Sequence, residues 1–403
     1  MARNPLKILS ASTIFLTSRW SALFLSFCFS ILYSRLLGLE NRSVLTFILT
    51  IVSLLVLGIT SSLGLRLRHK ISLQRDKKLL INRYLSDLIH LTLILVIIFL
   101  VIIVPYSLLV ITINFKILIL AIILLITSNL VYGFSEILIG LDRINIVGLF
   151  GILEILFQFI AFYFVHIILG TSLIVAVLAG ISLSYLISSV IFLKISQVYL
   201  SSPTLLTNLV HRRKMTELLT WESLAVTLPT VLMDRLDKIL IGFLLPLPDL
   251  SKYSIVLVFF SALRSIPETI ARIRFSRHAI SFSLRKTKIP WGILVLIVFF
   301  FGIYPIYRIL ISSLLGPNWL VTFTTFLVVG IFEVTRGFFL LQINNDFAST
   351  KNSNKLPNIL FLVSISFTLT ILFSSFFGLV AVPASFGVAY FILILKQRLA
   401  SKE

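Results

Sequence analysis

In the stretch Val231 to Leu245, VLMDRLDKILIGFLL, four charges interrupt an otherwise apolar run: Asp234, Arg235, Asp237 and Lys238. On a helix at 100° per residue they spread over an arc of about 160°, which makes one side polar. Arg and Lys in such a place hold compact anions such as phosphates, Arg through its forked donors and Lys as a point charge. Carboxylates beside them exchange protons or cations, because a buried carboxyl group neutralises by protonation and an Arg does not. Asp234 and Lys238 are also i,i+4 partners, so a closed intrahelical salt bridge is a second reading. Arg235 and Asp237 add charge beyond that one pair.

Other charges sit in comparable runs. Arg19 lies in LTSRWSAL beside Trp20, where it suits either a cation–π anchor or a polar cavity wall. Arg264 and Glu268 are i,i+4 around Pro267, a pair that also suits settling a proline kink. Glu333 and Arg336 are i,i+3, and Glu154 shares a face with Gln158, His166 following. Arg308 stands near the end of its run, within reach of an interface. Ionisable groups at membrane depth are costly and mark functional positions by default. The candidates for an anionic substrate are therefore Arg19, Arg235, Lys238, Arg264 and Arg336. Those for proton or cation coupling are Asp234, Asp237, Glu154 and Glu333.

Several chemistries have no carrier in the sequence. The phosphate-binding G-x-x-x-x-G-K-[ST] pattern does not occur, nor does H-E-x-x-H or a Cys/His cluster. One Cys, Cys28, precludes an internal disulfide, and the five His suggest no catalytic triad. No catalytic residue, metal or cofactor is expected. The segment LGLRLRHKISLQRDKK lacks the G-x-x-x-D-R-x-G-R-R signature of major facilitator proteins.

The elements that must position these charges are membrane helices. The chain has 403 residues, 58% hydrophobic and only 12% charged, against about 25% charged in ordinary soluble domains. Runs such as LTLILVIIFLVIIVP (91–105) form the centres of longer apolar stretches, and about 20 such residues cross the hydrocarbon core. Twelve spans are predicted: 9–33, 43–65, 86–111, 117–140, 146–169, 172–193, 220–245, 252–271, 290–314, 319–341, 356–377 and 379–395. Arg3 and Lys7 precede a first span that runs past Arg19 without a small-residue cleavage pattern, so no cleaved leader is expected. Of the 35 Lys and Arg residues, connections assigned to one side carry 25. The other side carries Arg35, Arg42, Lys116 and Lys252, and six lie within spans. By the positive-inside rule the rich side, with both termini, is cytoplasmic. The net charge of +20 is then a topology signal and a contact for anionic lipids, not a nucleic-acid surface.

The fold class expected is all-α: a polytopic membrane protein of about twelve transmembrane helices in two six-helix lobes around a central cavity. The polar linker near 194–219 divides it into lobes 1–205 and 206–403. A short echo links the halves: LLGLEN (36–41) and LLPLPD (244–249) occupy equivalent turns after the first helix of each. A 6+6 layout matches the parallel repeats of many transporters. The predicted non-cytoplasmic loops are about ten residues or shorter, which leaves no room for a glycan polymerase or ligase domain.

The layout resembles Wzx-type polysaccharide (O-antigen) flippases of the multidrug/oligosaccharidyl-lipid/polysaccharide exporter superfamily. MDRLDKILIGFLLPLPDLSKYSI (233–255) is similar to that family's helix 7–8 turn, although Ser251-Lys252-Tyr253 stands where the family has Gly before Tyr. LYSRLLGLENRSVLTFIL (32–49), EILIGLDRINIVG (136–148) and LLGPNWL (314–320) are similar to its other turns. The resemblance implies translocation of an undecaprenyl-pyrophosphate-linked oligosaccharide across the cell inner membrane during polysaccharide or lipopolysaccharide assembly. It implies no enzyme activity. The partners it implies are the lipid-linked oligosaccharide, membrane lipids, a coupling proton or sodium ion, and other polysaccharide assembly proteins. A multidrug or cation antiporter of the same superfamily is the open alternative, followed by a membrane glycan polymerase or ligase.

Overall fold

The computed structural model describes residues 5–73, 77–109, 113–141, 143–197, 221–260, 289–348 and 355–400. Among the described residues there is helix and turn but no strand. The helices are α1 (Pro5–Leu73), α2 (Lys77–Leu109), α3 (Phe115–Gly140), α4 (Ile144–Tyr163) and α5 (Leu173–Gln197). They continue as α6 (Trp221–Leu244), α7 (247–260) and α8 (Ile289–Leu314). The last three are α9 (Phe323–Ala348), α10 (Lys355–Phe377) and α11 (Ala381–Ala400).

α1 contains two of the expected spans. Its 69 residues would run about 100 Å if straight, over three times the core of a bilayer. It bends at Gly38, whose φ of 71° and ψ of 178° leave the helical region. Such a positive φ is open to glycine at no steric cost. The nine-residue break expected at 34–42 is therefore a one-residue kink. Local side chains serve the backbone there: Asn41 Nδ2 donates to the Leu37 carbonyl at 3.3 Å and Ser34 Oγ to the Ser30 carbonyl at 2.7 Å. With α1 counted twice, α1 to α11 overlap each of the twelve expected spans, but residues 261–271 of the eighth lie outside the described residues.

α4 ends in one π turn, Phe164–Ile168, before Gly170 at φ 60°. Thr171 Oγ1 donates to the Val165 carbonyl at 3.0 Å, and His166 Nδ1 to the Thr171 carbonyl at 2.9 Å. His166 thus closes a helix end.

Proximity along the backbone divides the chain into two compact units: Met1–Ser26 with Ile48–Arg235, and Phe27–Phe47 with Leu236–Glu403. The changeovers fall inside α1 and inside α6. Most of the linker 194–219 lies outside the described residues.

In the first unit α5 packs on α3 and α4, and α2 packs on α3. Gly180 permits the α4–α5 approach, because a Cβ there would meet the Gln158 carbonyl oxygen and the Phe162 nitrogen, each at 2.9 Å. A buried polar chain crosses this unit. Thr60 Oγ1 donates to Asn129 Oδ1, Asn129 Nδ2 to Thr92 Oγ1 at 2.7 Å, and Thr92 Oγ1 to the Leu88 carbonyl at 2.8 Å. Every member has a partner, so the chain fixes helix register without stranding a polar group.

In the second unit α11 packs on α9 and α10. Phe259 and Phe260 of α7, Tyr304 and Tyr307 of α8, and Phe326 of α9 form an aromatic core, with Phe260 and Phe326 centroids 4.7 Å apart. Outward faces are apolar in both units: Leu93, Ile97, Val101 and Leu108 of α2, and Phe361 and Phe376 of α10, are all exposed. Six stretches among the described residues are long and apolar enough to cross a membrane. Exposed apolar faces on such helices suit contact with lipid tails.

Candidate functional site

Within the second unit, α6, α7 and α9 bring four polar side chains to one buried point. Tyr253 donates its hydroxyl to Asp237 Oδ2 at 2.7 Å. Arg336 Nη1 donates to Glu333 Oε1 at 2.6 Å and lies 4.0 Å from Asp237 Oδ2. Asp237, Tyr253, Glu333 and Arg336 are all at most 1% exposed. The i,i+3 spacing on α9 lets Arg336 reach back to Glu333. Four residues earlier in α9, Phe332 places its ring 5.4 Å from the guanidinium carbon, a cation–π contact.

Ion pairs out of water hold only when well paired and hydrogen-bonded. Here Arg336 meets one carboxylate directly and a second at longer range, while Tyr253 satisfies one oxygen of that second carboxylate. Asp237 Oδ1 is buried with no hydrogen-bond partner among the described residues. It is an acceptor that a proton or small cation could satisfy.

The four-charge stretch of α6 does not act as one group. α6 changes units between Arg235 and Leu236. Asp237 turns into the second unit's core, whereas Asp234 and Arg235 belong to the first. Asp234 Oδ2 lies 3.4 Å from Arg235 Nε, and both side chains are half-buried. Lys238 is half-buried too.

A second group lies in the first unit. Glu154 of α4, Tyr132 of α3 and Arg235 of α6 all act electrostatically on the hydroxyl of Tyr185 in α5. Glu154 and Gln158 are half-buried on one face of α4. Glu136, at the end of α3, pairs with Arg68 at 2.7 Å.

The structure thus brings Asp237, Glu333 and Arg336 together, and places Glu154 and Arg235 both within electrostatic reach of Tyr185. Arg19 is on α1, but its side chain lies outside the described residues, as does Arg264 altogether. Arg308 is exposed on α8.

The sequence reading gave no role to Tyr253 or Tyr185, because a tyrosine in an apolar helix has no distinguishing spacing. It also placed Arg42 in a loop. Arg42 is buried beyond the Gly38 kink and donates from Nη2 to Ser30 Oγ at 2.8 Å. Only the kink, which folds residue 42 back toward residue 30, makes that contact possible. Among the described residues, no group of three or more His, Cys, Asp or Glu side chains is placed to hold a metal ion.

Comparison with known proteins gives this arrangement a context. A lipid II flippase, MurJ, solved in an inward closed conformation, superposes with a TM-score of 0.69 at 12% identity, covering 98% of this chain and 88% of that one. A multidrug resistance MATE family transporter of the MOP superfamily, solved inward-facing, gives 0.57 at 16% identity over 96% and 98%. The eukaryotic MATE transporter AtDTX14 gives 0.58 at 13% over 97% and 96%. These likenesses show the fold: the all-helical one of the MOP superfamily. No curated protein matches the chain by sequence. Residues 9–272, more than half of the chain, match the polysaccharide biosynthesis protein family, and this multi-pass membrane protein belongs to that family.

Proposed function

We propose that the protein moves an undecaprenyl-pyrophosphate-linked oligosaccharide across the cytoplasmic membrane for polysaccharide assembly, with both termini cytoplasmic and with proton or sodium coupling. The observation that carries the reading is the buried Asp237–Arg336–Glu333 node in a member of a polysaccharide biosynthesis family. An ionisable cluster held in a membrane-embedded core is suited to binding and release, and no bond need be broken. Uptake of a proton or sodium ion at Asp237 Oδ1 removes part of the negative field that Arg336 feels. Arg336 itself is fully buried, so the half-buried Arg235 and Lys238 are the bases better placed to meet a pyrophosphate. The lipid tail stays in the bilayer while the sugars need a wet path. Arg19 and Arg264 complete the proposed anion set, and Glu154 and Asp234 the proposed coupling set.

The carboxylates also suit a multidrug or cation antiporter, and the similar solved structures include a multidrug resistance MATE family transporter. One experiment separates the two. A strain lacking the gene should lose surface polysaccharide and accumulate the lipid-linked oligosaccharide on the cytoplasmic leaflet. The wild-type gene should restore export, and Asp237→Asn should not. Normal surface polysaccharide in the deletion strain, with raised sensitivity to cationic drugs, would instead establish the antiporter.

A further inference from the structure

The two turns that echo one another in sequence are joined to one another in space. A shift of 208 residues maps LLGLEN (36–41) onto LLPLPD (244–249), Leu39 onto Leu247 and Ser43 onto Ser251. Ser43 Oγ contacts the Leu247 carbonyl at 2.5 Å, and Ser251 Oγ donates to the Leu39 carbonyl at 2.7 Å. Each serine thus reaches the residue four before the other serine. The two hydroxyls lie 2.7 Å apart, so a local two-fold axis passes between them. Both serines are fully buried, and all of these residues belong to the second unit. Beside them Gly242 admits Phe47: a Cβ on Gly242 would stand 2.7 Å from Phe47 Cδ2. Phe47 meets Phe243 edge-on at 5.6 Å.

Such a contact is tight yet easily exchanged. Each hydroxyl has one proton and several acceptors within reach. Ser43 Oγ lies 2.8 Å from the Leu39 carbonyl of its own helix, the i−4 acceptor. A serine in a helix can always turn to that acceptor. Parting the turns therefore need not leave a buried hydroxyl unsatisfied, since each serine trades a cross-turn carbonyl for its own. A salt bridge here would strand charges on parting, and a large apolar contact would expose area. An element with two comparably satisfied arrangements is what a conformational switch requires.

We propose that Ser43 and Ser251 form a two-fold hydroxyl clasp that parts and re-forms once per transport cycle. The proposal rests on the transport reading above for its cycle, and on the reciprocal geometry for its residues. In the two-fold arrangement neither serine is the leading partner, so the two single alanine variants should behave alike.

The test uses the full chain in native membranes with Cys28→Ser as background. The double variant Ser43→Cys/Ser251→Cys should crosslink on mild oxidation, because a 2.7 Å separation of Oγ atoms is close to disulfide geometry. Crosslinking should drop polysaccharide export to background, and reduction should restore it; a misfolded variant would not recover. Failure to crosslink, or wild-type export by the crosslinked protein, overturns the clasp. A second readout needs no export. Ser43→Cys alone should react with an impermeant maleimide despite its burial. Adding Ser251→Ala should speed the reaction roughly tenfold, the loss of one or two net hydrogen bonds. The mirror pair, Ser251→Cys with Ser43→Ala, should match within about twofold by the same reasoning. No labelling over hours overturns a clasp that opens. If the wild-type protein supports no polysaccharide export while labelling behaves as described, the transported substrate is at fault and the clasp stands.

Discussion

The Tyr253 hydroxyl donates to the same oxygen of Asp237, Oδ2, that lies 4.0 Å from Arg336 Nη1. Tyr253 therefore acts on the carboxylate proposed for coupling as well as packing beneath it. Tyr253→Phe removes the hydroxyl that donates to Asp237 Oδ2 and leaves a buried carboxylate oxygen less satisfied, at a cost of about 1–3 kcal/mol. The thermal midpoint of the purified protein should fall by several degrees. Asp237→Asn keeps the shape and can still accept from Tyr253, so the midpoint should move less. Export should nonetheless fall about tenfold, mid-range for coupling between two sites. Unchanged export by Asp237→Asn at normal protein levels would remove Asp237 from the coupling set.

Glu333 and Arg336 should behave as a pair. Losing one partner leaves a buried charge and costs about 3–5 kcal/mol, whereas an apolar replacement of both is often close to neutral. Glu333→Leu and Arg336→Met alone should each lower the yield of folded protein sharply. The double variant should be more stable than either single one. If the singles and the double are additive in thermal denaturation, the 2.6 Å contact is energetically idle.

Two glycines differ in what a methyl group would meet. At Gly180 a Cβ stands 2.9 Å from backbone atoms of α4, whereas at Gly302 nothing lies within 4 Å. Gly180→Ala should force α4 and α5 apart and destabilise by about 1–3 kcal/mol. Gly302→Ala should be neutral or stabilising by about 1 kcal/mol, because alanine favours helix. Thermal melts of the two variants check the contrast.

The anion set predicts graded effects. Arg235→Ala and Lys238→Ala should weaken binding of a pyrophosphate-bearing lipid, and Asp234→Asn should leave it intact or tighter while impairing turnover. Arg19→Ala should abolish surface polysaccharide, with Arg19→Lys retaining part. Binding by titration of the purified protein and surface glycan staining are the two measurements. Full export by Arg19→Ala would take that residue out of the path.

Orientation is open to a direct check. From the 25-to-4 split of basic residues, the positive-inside rule predicts the 66–83 connection in the cytoplasm and the 245–251 turn opposite it. Reporter fusions at Arg75 and at Asp249 should report different compartments. The same compartment for both would mean that the spans are miscounted.

Much of this was decided by local pattern. Apolar runs of membrane length made the chain all-helical, since backbone groups in lipid must bond within their own segment. The Glu333–Arg336 contact was legible because i,i+3 spacing on a helix suffices to bring two side chains together. The echo of LLGLEN and LLPLPD was visible as letters. The sequence alone did not determine which charges meet across helices. Asp234 and Asp237 look equivalent along α6, yet one joins the first unit and the other the second unit's core, because α6 changes units between Arg235 and Leu236. Likewise the supposed loop at 34–42 is two helical stretches meeting at the Gly38 kink, and Arg42 is buried beyond it. Tyr253 reaching Asp237, and Ser43 reaching Ser251 across 208 residues, depend on helix packing, which brings together groups that no spacing along the chain relates.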